Sequence, residues 1–183
     1  MKINQRKIDY IIIILITLFA TSYIIGTLLI NPTGYVTGDS ANYLWLSGRI
    51  LDGHGFFLPT DGREGAVERW FATWPVGYSS LISGVSWTLG VPTLLASKIL
   101  NIFLLSLAVL ALYIVLGQNG LIASLVLLTA GTLRNYTMTW SEAPFLTSII
   151  ILCLFLGKIL NDDQRVSNKS LIILFFLLIL PFL

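Results

Sequence analysis

The sequence predicts an all-α fold, a polytopic bundle of transmembrane helices with a juxtamembrane helical loop on its outer face. Of the 183 residues, 56% are hydrophobic and only 11% are charged, and the mean hydropathy is +0.86. Soluble domains carry about 25% charged residues, so this composition excludes a water-soluble globule. The high apolar content also excludes a disordered chain. The apolar residues fall into runs that approach the roughly 20 residues needed to cross a bilayer.

Cysteine and charge exclude two further classes of protein. A single cysteine, Cys153, cannot build a disulfide framework or a multi-cysteine zinc site. A net charge of +2, spread along the chain, gives no basic footprint, so we expect no nucleic-acid partner.

The apolar runs predict one membrane domain over residues 1–183. The predicted spans are 8–30, 92–116, 121–133, 140–160 and 171–183, and the outer loop is 31–91. The last run is cut by the end of the chain, so we expect the domain to be incomplete at its C-terminus.

The first span is expected to be retained, because its apolar run exceeds the 7–15 residues of a signal peptide. No Ala-x-Ala cleavage site follows it. Lys2, Arg6 and Lys7 precede it, and the positive-inside rule places such residues in the cytoplasm. The sequence therefore predicts an integral membrane protein with a cytoplasmic N-terminus.

The segment 74–89 is apolar but short, and serines dilute it. One interpretation is a helix lying flat in the outer interface, and the other is a further span. A span would move Lys158, Arg165 and Lys169 outside, so the positive-inside rule favours the flat helix.

The outer loop contains one amphipathic pattern, from Asp39 to Asp52. Tyr43, Leu46 and Ile50 recur at i, i+3 and i+7, which predicts a helix. The glycines around His54 end this pattern, and the Pro-Thr-Asp-Gly run at 59–62 indicates a turn.

Ionisable groups near lipid are candidates for function by default. Asp39 follows the first span and Glu142 opens the fourth, so both are expected at the same membrane face. Structural alternatives stay open: Asp39 suits a helix N-cap, and Glu142 suits the positive end of a helix dipole. Lys98 and Arg134 fit either snorkelling or a phosphate contact.

Five short motifs, in order, resemble the amino-terminal portion of GT-C type membrane glycosyltransferases, the superfamily of protein O-mannosyltransferases and lipid A aminoarabinose transferases. They are Gly-Asp-Ser-Ala-Asn-Tyr at 38–43, Leu-Asp-Gly-His-Gly-Phe at 51–56, Trp-Pro-Val-Gly-Tyr at 74–78, Lys-Ile-Leu-Asn at 98–101 and Ser-Glu-Ala-Pro-Phe at 141–145. Such enzymes usually carry more spans and often a further domain. The family's helix that matches 74–89 lies at the outer surface.

The resemblance implies transfer of a hexose or pentose from a polyprenyl phosphate donor to a lipid, glycan or protein acceptor, with inversion. It makes Asp39 the catalytic base and Glu142 the residue that positions the acceptor. These two carboxylates are also the candidates for holding a divalent cation, although metal dependence is left open. The other implied site residues are Lys98, Arg134, Arg63 and Arg69 for the donor phosphate, and Tyr43, His54, Trp74 and Tyr78 for lining the substrate.

The alternative is a non-catalytic polytopic membrane protein, either an accessory subunit or an inactive fragment of such an enzyme. No Walker loop, dinucleotide fingerprint, zinc helix motif or nucleophile elbow occurs in the sequence.

Overall fold

The structure, a computed structural model, describes residues 5–31, 36–59, 67–71 and 75–161, with side chains up to residue 158. This part of the chain is mostly helical. The helices are α1 (Gln5–Ile30), α2 (Gly38–Leu51), α3 (Val76–Leu89), α4 (Thr93–Leu116), α5 (Gln118–Ser124), α6 (Ala130–Thr137) and α7 (Glu142–Asn161), with a 3₁₀ helix at Leu125–Leu128 and strands β1 (Phe57–Pro59) and β2 (Glu68–Trp70).

Within the described ranges, two helices have the length and apolar composition needed to cross a membrane, namely α1 and α4. They correspond to the predicted spans 8–30 and 92–116. Helix α7 covers the predicted run 140–160, and the run 171–183 lies outside the described residues.

The third predicted span, 121–133, is wrong as a single helix. The chain forms α5, the 3₁₀ helix and α6 in succession, and Thr129 between the last two has an extended backbone (φ −65°, ψ 147°). The hydroxyls of Ser124 and Thr129 each donate to the carbonyl three residues earlier. Such local hydroxyl bonds compete with the helical pattern.

The all-α class is confirmed by the described residues, and a short strand pair accompanies the helices. Strands β1 and β2 pair antiparallel, with Leu58 opposite Arg69. Leu58 and Phe71 are buried in a cluster with Leu46 of α2. The strands are three residues long, which is too short to show a period-2 pattern in the sequence.

Helices α1 and α4 run in opposite directions. The hydroxyl of Tyr113, near the end of α4, donates to Asp9 in the early part of α1 at 3.2 Å. Along their length the two helices share a buried core that includes Ile16, Ala20, Leu105 and Ala108. We call the end of the bundle that holds this pair the Asp9 end.

Helix α7 runs in the same direction as α4. The last turn of α4 and the carboxyl-terminal half of α7, including Lys158, line a common cavity of 370 Å³ at the Asp9 end. Residues 118–137 return to the opposite end, where the end of α6 binds the start of α4. The topology and orientation of these segments in a membrane stay predictions.

Serines join α2 to α3. Ser79 and Ser83 of α3 donate to the carbonyls of Tyr43 and Ser47 of α2, at 3.1 and 2.9 Å. Ser47 donates back to the carbonyl of Ser79 at 3.1 Å. Small hydroxyl side chains let helices approach closely and bond across the contact. Two of the serines that dilute the 74–89 segment, Ser79 and Ser83, therefore bond it to α2.

Candidate functional site

The amino ends of α2 and α7 meet at the end of the bundle opposite the Asp9 end. The hydroxyl of Tyr43 donates to Oγ of Ser141 at 2.9 Å. The indole Nε1 of Trp140 donates to Oγ1 of Thr37 at 2.8 Å. These two hydrogen bonds, which we call the α2–α7 tie, join segments that are about a hundred residues apart in the chain.

The tie joins the two helix ends that carry the predicted catalytic acids. Asp39 is the second residue of α2 and Glu142 is the first residue of α7, and both are exposed. Burial raises the pKa of Tyr43, the hydrogen bond to Ser141 opposes this, and the negative charges of Glu142 and Asp39 raise it further. Both carboxylates therefore act on the same phenol, and each lies in the first turn of a helix, where the dipole favours negative charge.

Asp39 is not the N-cap of α2. That position belongs to Thr37, whose Oγ1 accepts from the backbone N–H of Ser40 at 3.3 Å. The carboxylate of Asp39 is exposed within the first helical turn. The structural alternative of an N-cap is therefore wrong for Asp39.

Lys98 is buried, with 1% of its surface exposed. Its Nζ donates to the carbonyl of Thr137 at 2.5 Å and to Oγ1 of Thr139 at 3.0 Å. It therefore holds the connection that leads into α7, instead of snorkelling. Its predicted contact with a donor phosphate stays a prediction.

Two predicted substrate-lining tyrosines are buried. Tyr43 is 2% exposed and Tyr78 is 1% exposed, and their rings meet edge to face with centroids 5.3 Å apart. The hydroxyl of Tyr78 donates to Oδ1 of Asn101 at 2.9 Å, and burial raises its pKa well above the ordinary value. Both tyrosines are thus buried beneath the segment that carries the acids, and Tyr43 is the one that bonds to Ser141.

A separate charged group lies where the carboxyl end of α2 meets the β1–β2 pair, which we call the hairpin. Arg49 pairs with Glu68, and the His54 ring nitrogen Nδ1 lies 3.7 Å from the same carboxylate. Arg69 is exposed on β2, opposite Leu58. His54 and Arg69 therefore belong to the region beyond the carboxyl end of α2, whereas the α2–α7 tie involves its amino end.

The remaining predicted residues separate into two groups. Arg134 is exposed in the last turn of α6, close in sequence to the segment that Lys98 holds. Arg63 and Trp74 lie outside the described residues.

In the part of the chain that the structure describes, no three His, Cys, Asp or Glu side chains cluster closely enough to hold a metal ion. Asp39 and Glu142 are thus a pair of oxygen-donor residues without a third acidic or imidazole neighbour there. Hard divalent cations accept carboxylate, carbonyl and water oxygens together, so this pair alone does not decide metal dependence.

Sequence reasoning missed the neutral residues that hold the acids in place. Ser141, Thr37 and Asn101 supply the hydrogen bonds, and each is a short polar side chain in or beside an apolar helix. Ser141 and Asn101 do occur inside the quoted motifs, which is the one signal that could have identified them.

Compared with models of known protein families, with curated proteins and with solved structures, the chain shows no match.

Proposed function

We propose that the chain forms the catalytic face of a membrane glycosyltransferase, similar to the amino-terminal portion of the GT-C enzymes. It transfers a sugar from a polyprenyl phosphate donor to a hydroxyl or amine of a lipid, glycan or protein acceptor, with inversion. The site faces the extracytoplasmic side of the plasma (inner) membrane, and the N-terminus is cytoplasmic.

The observation that carries this proposal is the α2–α7 tie. Two exposed acids from distant parts of the chain lie beside one hydrogen-bonded contact, and their charges act on the same tyrosine. Exposed carboxylates at a helix junction next to two apolar helices suit a substrate whose head is polar and whose tail is lipid. A polyprenyl phosphate sugar has this division.

In the proposed reaction the acceptor oxygen or nitrogen attacks the anomeric carbon from the face opposite the phosphate. The bond from that carbon to the phosphate oxygen breaks, and its electron pair leaves with the polyprenyl phosphate. Asp39 takes the acceptor proton, a step typically worth 10²–10⁴-fold in rate. Glu142 accepts a hydrogen bond from the acceptor and orients it.

The departing phosphate needs positive charge, since preorganised donors stabilise developing anions. Arg134 is an exposed candidate next to the α6–α7 connection, and Arg69 is an exposed candidate on the hairpin. A divalent cation bound by Asp39 and Glu142 would supply the same stabilisation.

The test is release of free polyprenyl phosphate by the full chain in proteoliposomes. The donors are polyprenyl-phosphate mannose and polyprenyl-phosphate aminoarabinose, each supplied with a hydroxyl-bearing acceptor (a serine- and threonine-rich peptide or a glycolipid), with and without Mg²⁺ or Mn²⁺. We expect release by the native protein, and a loss of about 10²-fold or more with Asp39→Asn, as expected for removal of a general base. Glu142→Gln is expected to impair release as well.

Asp52→Asn is the matched control, because Asp52 is an exposed acid at the other end of α2. It is expected to leave release unchanged. If Asp39→Asn and Glu142→Gln insert into the membrane and release polyprenyl phosphate as fast as Asp52→Asn does, the catalytic proposal is wrong. A non-catalytic membrane role then takes its place.

A further inference from the structure

The carboxyl end of α6 is capped by side chains from another helix. A helix leaves its last four carbonyl groups without partners inside the helix. Here Nδ2 of Asn101 donates to the carbonyls of Tyr136 and Met138, at 2.9 and 2.8 Å. Nζ of Lys98 donates to the carbonyl between them, that of Thr137. Two α4 side chains thus bind three successive carbonyls where α6 ends.

The chemistry of this cap suits its position. A positive charge is favoured at the carboxyl end of a helix, where the dipole is negative. Lys98 and Asn101 are 1% and 0% exposed, so their hydrogen bonds are shielded from water. Ser97 adds a 2.9 Å hydrogen bond to Thr139, whose hydroxyl also accepts from Lys98. Leaving such groups buried without partners would carry a large desolvation penalty.

The capped segment leads directly into the site. Residues 138–141 follow α6, and they end in the two side chains of the α2–α7 tie, Trp140 and Ser141. From its other face Asn101 accepts a hydrogen bond from Tyr78, which packs edge-on against Tyr43. The cap is therefore linked to Trp140 and Ser141 through the 138–141 segment. It is linked to Tyr43 through Tyr78.

We propose that Lys98 and Asn101 are positioning residues that fix Glu142 relative to Asp39 by holding residues 136–139. The catalytic consequence rests on the proposed function, whereas the mechanical role does not. The ammonium of Lys98 donates to the carbonyl of Thr137 and the hydroxyl of Thr139. Its substitution therefore acts through the placement of Glu142 and not through the donor phosphate.

Amide hydrogen exchange of the full chain in nanodiscs tests the mechanical role without any substrate. With Lys98→Met we expect exchange in residues 136–142 to accelerate by about tenfold or more, because this segment then opens locally. The α1 amides are expected to keep their native rates. Ser106→Ala is the matched control, since Ser106 of α4 bonds to its own helix at Ile102. Unchanged exchange in 136–142 with Lys98→Met would overturn the proposal.

Two milder variants keep the test valid if Lys98→Met fails to fold. Thr139→Val removes only the hydroxyl that Lys98 and Ser97 share. Asn101→Asp keeps an acceptor for Tyr78 but cannot donate to the carbonyls of residues 136 and 138. Each is expected to accelerate exchange in 136–142, and native rates in both would contradict the proposal.

Kinetics with polyprenyl-phosphate mannose separate positioning from phosphate binding. A positioning role predicts that Thr139→Val lowers kcat with little change in KM for the donor. A raised KM with unchanged kcat would contradict the positioning role and support a phosphate contact. If the native protein releases no polyprenyl phosphate, the proposed function fails while the exchange result still decides the mechanical role.

Discussion

The hydroxyl of Tyr43 in α2 donates a 2.9 Å hydrogen bond to Oγ of Ser141, 98 positions later in the chain. Ser141 directly precedes Glu142, and Tyr43 lies one helical turn after Asp39. This hydrogen bond therefore joins the two segments that carry Asp39 and Glu142, the acids on which the proposed chemistry depends.

Removing the contact is the first prediction. With Tyr43→Phe, Ser141 loses its donor, and we expect a loss of about 1 kcal/mol in the free energy of unfolding, as for a typical hydrogen bond. Release of polyprenyl phosphate is expected to fall by a larger factor than stability alone explains, because Glu142 loses its fixed position. Tyr23→Phe, at an exposed position of α1, is the control and should change neither quantity.

The close approach of α5 to the end of α4 gives a stability prediction that is independent of function. A Cβ added at Gly120 would lie 2.1 Å from the carbonyl oxygen of Leu112. Backbone must move to admit it, so we expect Gly120→Ala to destabilise the protein by about 1–3 kcal/mol or more. Chemical unfolding in detergent measures this change.

Gly131 in α6 is the matched control, because a Cβ there meets nothing within 4 Å. Gly131→Ala is expected to be neutral or stabilising by about 0.5–1 kcal/mol, since alanine costs less backbone entropy in a helix. Equal effects of the two substitutions would contradict the close α4–α5 approach.

Tyr78 makes stability depend on alkaline pH. Burial raises its folded pKa above the unfolded value of about 10. Above pH 10 the unfolded state releases this proton more readily than the folded state, so the stabilisation present at lower pH declines as pH rises. We expect Tyr78→Phe to lose stability less steeply between pH 9 and 11 than the native protein, which equilibrium unfolding at each pH will measure.

If the free energy of unfolding falls with pH equally fast in the native protein and in Tyr78→Phe, Tyr78 titrates alike in the folded and unfolded states. That result would contradict its burial against Asn101 and Tyr43.

The orientation of the bundle is a further prediction. Lys7 lies near the Asp9 end and Gly38 begins α2 at the opposite end, and both positions are exposed. In a Cys153→Ser background, we expect Gly38→Cys to react with a membrane-impermeant maleimide in sealed right-side-out vesicles. Lys7→Cys should react only in inverted vesicles. The reverse pattern would contradict the extracytoplasmic placement of the acids.

Much of the fold follows from hydrophobic patterning alone. The sequence predicted α1, α2 and α4 within a few residues, because long apolar runs and a clear i, i+3, i+7 pattern dominate those segments. It missed the break at Thr129, because hydroxyl bonds to nearby carbonyls decide that break and leave no periodic trace. The sequence also missed β1 and β2, because strands of three residues are too short to show an alternating pattern.

The sequence predicted that Asp39 and Glu142 lie at the same end of the fold, and it did not predict the contacts that hold them there. Charge in an apolar chain singles out Asp39, Glu142 and Lys98, and the order of the spans places the two acids at one end. The sequence does not say that Lys98 would bind the end of α6, because that contact depends on where α6 stops. Asn101 carries no charge and lies in an apolar helix, so the motif at 98–101 is its one signal in the sequence, and its contacts show what it binds.

The most direct test of the central claim is chemical rescue of Asp39→Asn by azide. Azide is a nucleophile that needs no deprotonation, so it replaces both the acceptor and the base. With polyprenyl-phosphate mannose we predict that azide restores release of polyprenyl phosphate by Asp39→Asn and yields a glycosyl azide of inverted configuration. If Asp39→Asn retains native turnover without azide, or azide yields no glycosyl azide with it while the native protein turns over, Asp39 is not the base.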